Sequence, residues 1–186
     1  MTQPTVLILP GLGNSGTEHW QSWLQNRIPG ARRVDQDEWD HPVPADWVAR
    51  LESVVAATPG RVVLVAHSSA CVMVAHWAAV GQRSGTVNKI VGALLVGPSD
   101  VESPERAPPA VHGFAPVPTD PLPFTTMVVG SDDDPYCSTE RACAFAVLWG
   151  ADFINAGAVG HINVASGFGP WPLGETLVKE LMALAN

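Results

Sequence analysis

The sequence predicts an α/β fold, with a mostly parallel central sheet and helices on both faces. Three observations carry that prediction. Short apolar runs alternate with longer segments of helical spacing along the chain. The run over 61–66 is continuous and β-branched rather than alternating, as expected for a strand covered on both faces. The length, 186 residues, lets a chain bury roughly 70% of its unfolded surface without a disulfide or metal staple. No repeat, low-complexity tract or linker interrupts the pattern, so one domain over residues 1–186 is expected.

The elements follow in order. Val6 to Leu9 is an apolar strand ended by Pro10-Gly11, and Gly11 to Gly16 is a loop. Thr17 is a suitable N-cap for a helix to about Arg27, stopped by Pro29-Gly30. Ala31 to Val34 is read as a short strand. Pro44 to about Thr58 is a helix apolar at Trp47, Leu51 and Val55. After the strand at 61–66, Ser68 to Val80 is a helix apolar on most faces and hence buried. The strand at 90–96 leads into Pro98 to Pro123, where eight prolines and weak periodicity predict surface loop. Phe124 to Val129 is a strand, Ser138 to Trp149 a helix and Asp152 to Asn155 a short strand. Pro172 opens a closing helix to Ala185.

Ten Lys and Arg against 18 Asp and Glu give a charge of −8. No basic footprint for nucleic acid or for an anionic membrane is visible. Three cysteines without a CxxC pair argue against a disulfide framework and for a reducing compartment. The N-terminus lacks a basic region before its short apolar run, and no stretch approaches a membrane span, so a cytoplasmic protein is expected.

The chemistry concentrates at Ala66-His67-Ser68-Ser69-Ala70, between a strand and a helix. That context is what a nucleophile elbow of the G-x-S-x-G kind requires, with its serine on a strained turn. The flanking positions must be small. Alanine satisfies this sterically and selects Ser68 over Ser69, whose neighbours two residues away are His67 and Cys71. The Ser69 N–H then opens the helix and can donate to an oxyanion. Cys71 falls inside the apolar helix and reads as an inert buried thiol.

A serine nucleophile needs a base and an orienting carboxylate. Gly130-Ser131-Asp132-Asp133-Asp134-Pro135 follows a strand, at the edge where ligands bind. Three consecutive aspartates leave the register open. Asp133, three residues past the glycine, is favoured. Among six histidines, His161 follows the last strand through Gly157-Ala158-Val159-Gly160, a loop able to carry an imidazole over the sheet edge. His19 lies near the first loop and can line a pocket.

Gly11-Leu12-Gly13-Asn14-Ser15-Gly16 also matches the dinucleotide fingerprint, with Asp35 about 20 residues on. A dinucleotide site needs a helix opening within the motif, whereas Asn14-Ser15-Gly16 are poor helix formers. The hydrolase reading uses the loop instead to supply a second oxyanion donor, the Leu12 N–H.

These segments resemble the small serine hydrolases of the retinoblastoma-binding-protein type, a compact branch of the α/β-hydrolase superfamily. The similarity runs through residues 9–16 with His19-Trp20, through Ala66-His67-Ser68-Ser69, through Gly130–Pro135 and through the string Gly160–Pro172. It implies Ser68 as nucleophile, Asp133 as orienting acid and His161 as base, acting on a small ester or related acyl substrate. No metal or organic cofactor is implied. No cap domain is expected, since only the Pro-rich segment follows the strand at 90–96. The pocket should then be open and modest, lined by His19, Trp20 and Trp171. An inactive binding module of the same fold is the competing reading.

Overall fold

The computed structural model describes residues 3–185. Among the described residues, six parallel strands form one sheet in the order β2-β1-β3-β4-β5-β6. They are β1 (Thr5–Leu9), β2 (Arg32–Arg33), β3 (Val62–His67), β4 (Ile90–Val96), β5 (Thr125–Gly130) and β6 (Asp152–Asn155). The helices are α1 (Trp20–Arg27), α2 (Pro44–Ala57), α3 (Ser69–Ser84), α4 (Thr139–Trp149) and α5 (Pro172–Ala183). None of the described helices is long and apolar enough to cross a membrane.

The period-two alternation of the strands sends successive side chains to opposite faces. Leu7, Leu64 and Leu95 pack on one face with Trp47 of α2, Trp77 of α3 and Phe145 of α4. Ile8, Val65 and Leu94 pack on the other with Leu24 of α1 and Val178 of α5. All seven residues of β4 are buried, as a central strand between two helical layers requires.

Three boundaries depart from the sequence expectation. Helix α1 is capped by His19 rather than Thr17, because the His19 Nδ1 accepts from the Gln21 N–H at 3.1 Å. Helix α3 runs to Ser84, where Gly85 takes the left-handed conformation and ends it. The Pro-rich segment is more than surface loop. It contains a 3₁₀ turn, Pro109–Phe114, and buries Val111, Phe114 and Leu122 in the core.

The strand order reverses direction at β1 and β3. The connection from β1 leads outward to β2, and α2 returns the chain to β3 on the other side. In open parallel sheets the crevice beyond the strand C-termini at such a point is where ligands bind. The Gly11–Gly16 loop and the Ser68 turn both lie there.

Candidate active site

Ser68 lies between β3 and α3 with φ 60° and ψ −129°. A non-glycine residue held there stores about 1–3 kcal/mol of backbone strain, which its surroundings must offset. Ala66 and Ala70 flank it, and both are fully buried. The loop after β1 is as close: a Cβ on Gly11 would stand 2.8 Å from the Ser68 Cβ and 2.9 Å from the His67 carbonyl oxygen. The Ser68 N–H donates to the Val96 carbonyl at 3.0 Å, which fixes the turn against β4.

The His161 Nε2 stands 2.9 Å from the Ser68 Oγ. Its Nδ1 faces both carboxyl oxygens of Asp134, at 3.0 and 2.8 Å. The Asp134 and His161 side chains are nearly sealed from solvent, at 2% and 6% exposure. An ionised carboxylate only accepts, so Nδ1 carries the proton and Nε2 is a bare acceptor for the Ser68 hydroxyl.

Asp133, the expected orienting acid, does not reach the imidazole. The chain turns at Asp132 and Asp133 and exposes both, and the next residue, Asp134, points inward. Asp133 Oδ1 accepts instead from the Gly160 N–H at 2.6 Å and the Ser131 hydroxyl at 2.9 Å. The Gly160 N–H, followed by the Ser131 bond, lowers the Asp133 pKa. Asp133 thereby ties down the residue before His161. Asp132 accepts from Asn155 Nδ2 at 2.8 Å.

Trp20 and Trp171 do not line the pocket, contrary to expectation. Trp20 is fully buried, and Trp171 meets it edge-on with centroids 4.9 Å apart. Trp20 acts on the site from below, its Nε1–H donating to the Ile162 carbonyl at 2.8 Å. The neighbouring His161 carbonyl accepts from His67 Nε2 at 2.9 Å. Two buried donors therefore clamp consecutive carbonyls where Ile162 is held at φ 49°. The pattern of the sequence does not reveal this, because both donors act on backbone far away in the chain.

His19 does line the cavity. Burial, with Arg33 and His161 nearby, lowers its pKa to about 4. Because Nδ1 accepts the helix cap bond, the neutral ring carries its proton on Nε2. Burial first, then His161 and His19, also push His67 well below the ordinary histidine value. The imidazole of His161 is flanked by Tyr136 and His67, with ring centroids at 4.5 and 4.7 Å.

The two expected oxyanion donors differ in state. Ser69 is the first residue of α3. The Leu12 N–H donates to the Ser69 Oγ at 3.2 Å. Gln21 joins the strand ends beneath them, its Nε2 donating to the Leu9 and Val65 carbonyls at 3.1 and 3.2 Å. Cys71 is fully buried and its thiol pushed well up by burial, which leaves it a poor nucleophile.

A cavity of about 300 Å³ opens over Ser68. Pro108 and Val111 of the Pro-rich segment form part of its wall, and no lining residue among those described is Asp, Glu, Lys or Arg. Ser99, which sequence reasoning missed, also lines it, with its Oγ 2.9 Å from the Ser68 Oγ. The available signal was its position just past the C-terminal end of β4. No helix opens inside the Gly11–Gly16 motif, since α1 begins at Trp20. The arrangement that a dinucleotide pyrophosphate requires is not built.

A sequence profile described as serine hydrolase matches residues 6–180. The chain belongs to the serine hydrolase family. A protein from Pectobacterium atrosepticum described as a YdeN-like hydrolase is similar to this serine hydrolase at 30% identity and a TM-score of 0.85, covering 98% of this chain and 92% of that one. The ydeN gene product of B. subtilis gives 18% identity and a TM-score of 0.76, over 97% and 99% of the two chains. Est1E from Butyrivibrio proteoclasticus, solved with ferulic acid, shares the fold at 13% identity and a TM-score of 0.70, over 97% and 90%. No curated protein sequence matches this serine hydrolase.

Proposed function

We propose that this serine hydrolase cleaves small, uncharged carboxylic esters or thioesters through an acyl-enzyme on Ser68. The observation that carries the reading is the unbroken relay from Ser68 Oγ through His161 to Asp134. Ser68 Oγ attacks the acyl carbonyl as His161 Nε2 takes its proton. Asp134 holds the tautomer and stabilises the imidazolium. The leaving group departs with the proton from Nε2. Water, deprotonated by the same nitrogen, then releases the acid.

The Ser69 N–H stabilises the oxyanion at the first turn of α3, and the Leu12 N–H joins it by sharing its bond to Ser69 Oγ with the substrate oxygen. A lost donor of this kind costs about 3 kcal/mol. His19 contributes substrate binding through its Nε2–H. The size of the cavity and its uncharged lining support a small neutral acyl group. The reading needs no metal or organic cofactor, and it places the reaction in the cytoplasm, on a single domain spanning 1–186. The string Gly160–Pro172 and the Ala66–Ser69 elbow support a place in the retinoblastoma-binding-protein branch of the family.

A fluorophosphonate probe tests the reading. It should label wild-type protein at Ser68, and Ser68→Ala should abolish labelling while leaving the circular dichroism spectrum and melting temperature intact. Unreactive wild-type protein would favour a binding module instead, and labelling that persists in the variant would move the nucleophile elsewhere.

A further inference from the structure

The nucleophile has a second hydroxyl beside it. Ser99 follows β4, is 3% exposed, and places its Oγ 2.9 Å from the Ser68 Oγ. Ser68 Oγ is the only hydrogen-bond partner of that side chain among the described residues. The direction of the bond follows from the relay. Asp134 fixes the proton on Nδ1, so Ser68 spends its single hydrogen on Nε2. The hydrogen between the two serines therefore belongs to Ser99, and Ser68 Oγ accepts it.

An alcohol oxygen and an ester oxygen differ as acceptors. The free Ser68 hydroxyl oxygen has two ordinary lone pairs. Once Ser68 Oγ has bonded to the acyl carbon and its proton has left through Nε2 with the leaving group, one of those pairs is delocalised into the new carbonyl. The bond from Ser99 weakens. It strengthens again when water adds to the acyl carbon, the bond from that carbon to Ser68 Oγ breaks, and Oγ departs with developing negative charge before Nε2 returns a proton. The Ser99 Oγ meanwhile has lone pairs open to the second hydrogen of the attacking water, whose first hydrogen goes to Nε2.

We propose that Ser99 is a further catalytic residue, which disfavours the acyl-enzyme relative to the free enzyme and so drives deacylation. This rests on the acyl-enzyme reading above. A hydroxyl that only filled space would affect both half-reactions alike, whereas one bonded to the reacting oxygen shifts the ratio between them.

The test uses p-nitrophenyl butyrate and Ser99→Ala, with acylation followed by the nitrophenolate burst. Deacylation is followed by intact-mass decay of the butyryl adduct once excess ester is removed. Loss of one neutral hydrogen bond should raise the ratio of acylation to deacylation rate constants about five- to tenfold. The adduct should persist correspondingly longer, and Ser99→Thr, which restores a hydroxyl, should return the ratio towards wild type. A ratio unchanged in Ser99→Ala, whether both rates fall together or neither moves, overturns the proposal. The slow-releasing variant separates the two readings: if neither wild-type protein nor Ser99→Ala forms a butyryl adduct, the acyl-enzyme mechanism itself fails. If adducts form and decay while the Ser99→Ala ratio stays at the wild-type value, only the role of Ser99 does.

Discussion

Asp132, Asp133 and Asp134 are chemically identical and hold different partners: Asn155, the Gly160 N–H and the His161 imidazole. Asparagine at each position separates these tasks. Asp134→Asn should lower kcat by about 10³- to 10⁴-fold, because an amide can stabilise the wrong tautomer. Asp133→Asn should cost about tenfold or less, since the amide oxygen still accepts from Gly160. Equal losses in the two variants, measured on one activated ester, would sink the assignment of Asp134. The two imidazoles held neutral, His19 and His67, tie stability to pH. Each has a folded pKa below its unfolded value near 6.5, so the unfolded chain binds protons first as pH falls. Their contribution is complete above pH 6.5 and is lost below it, by at most about 1.4 kcal/mol per pH unit for each ring. For His19 the loss runs from about 6.5 down to about 4. Urea midpoints at pH 7.5 and 5.5 should therefore differ less in His19→Asn, which keeps a capping acceptor, than in wild type. The same pH dependence in both would refute the role given to His19.

The strand-to-helix junctions decide where the reactive groups go, and their legibility in the sequence differs. The elbow was readable from Val62 to Ala70, because an apolar strand, small flanking residues and a helical segment are all local signals. His161 was readable from its glycine-rich approach. The aspartate register was not, because consecutive aspartates differ only in which way a turn projects them. Trp20 was misplaced for a related reason: an aromatic residue beside a loop looks the same in sequence whether it faces a pocket or the core. Its indole donates to the carbonyl after His161, so α1 supports the His161 loop from beneath. Trp20→Phe keeps most of the packing and leaves the Ile162 carbonyl without its donor. Unfolding free energy should fall by about 1–3 kcal/mol, the cost of a buried unsatisfied group. Hydrogen exchange should quicken over residues 160–167. Unchanged exchange in that segment would mean that the clamp does not hold the loop.

The whole molecule carries a charge of −8, while the cavity wall has no charged side chain among the described residues. Anionic substrates are then opposed by the long-range field and gain no partner inside. Neutral p-nitrophenyl butyrate should be cleaved with a higher kcat/KM than the singly charged p-nitrophenyl glutarate. Raising salt from low ionic strength to about 0.5 M should narrow the gap by screening. A gap insensitive to salt would argue that shape, not charge, sets the preference. The architecture also divides the cavity into parts of unequal freedom. Gly11 has no space for even a methyl group against Ser68, so the β1 loop and the elbow are interlocked. Pro108, Val164 and Ala165 line the opposite, outer part of the cavity, and none of the three is buried. A protein engineer seeking new specificity would do well to randomise that outer wall and leave the glycine alone, since any side chain there would dislodge Ser68 itself.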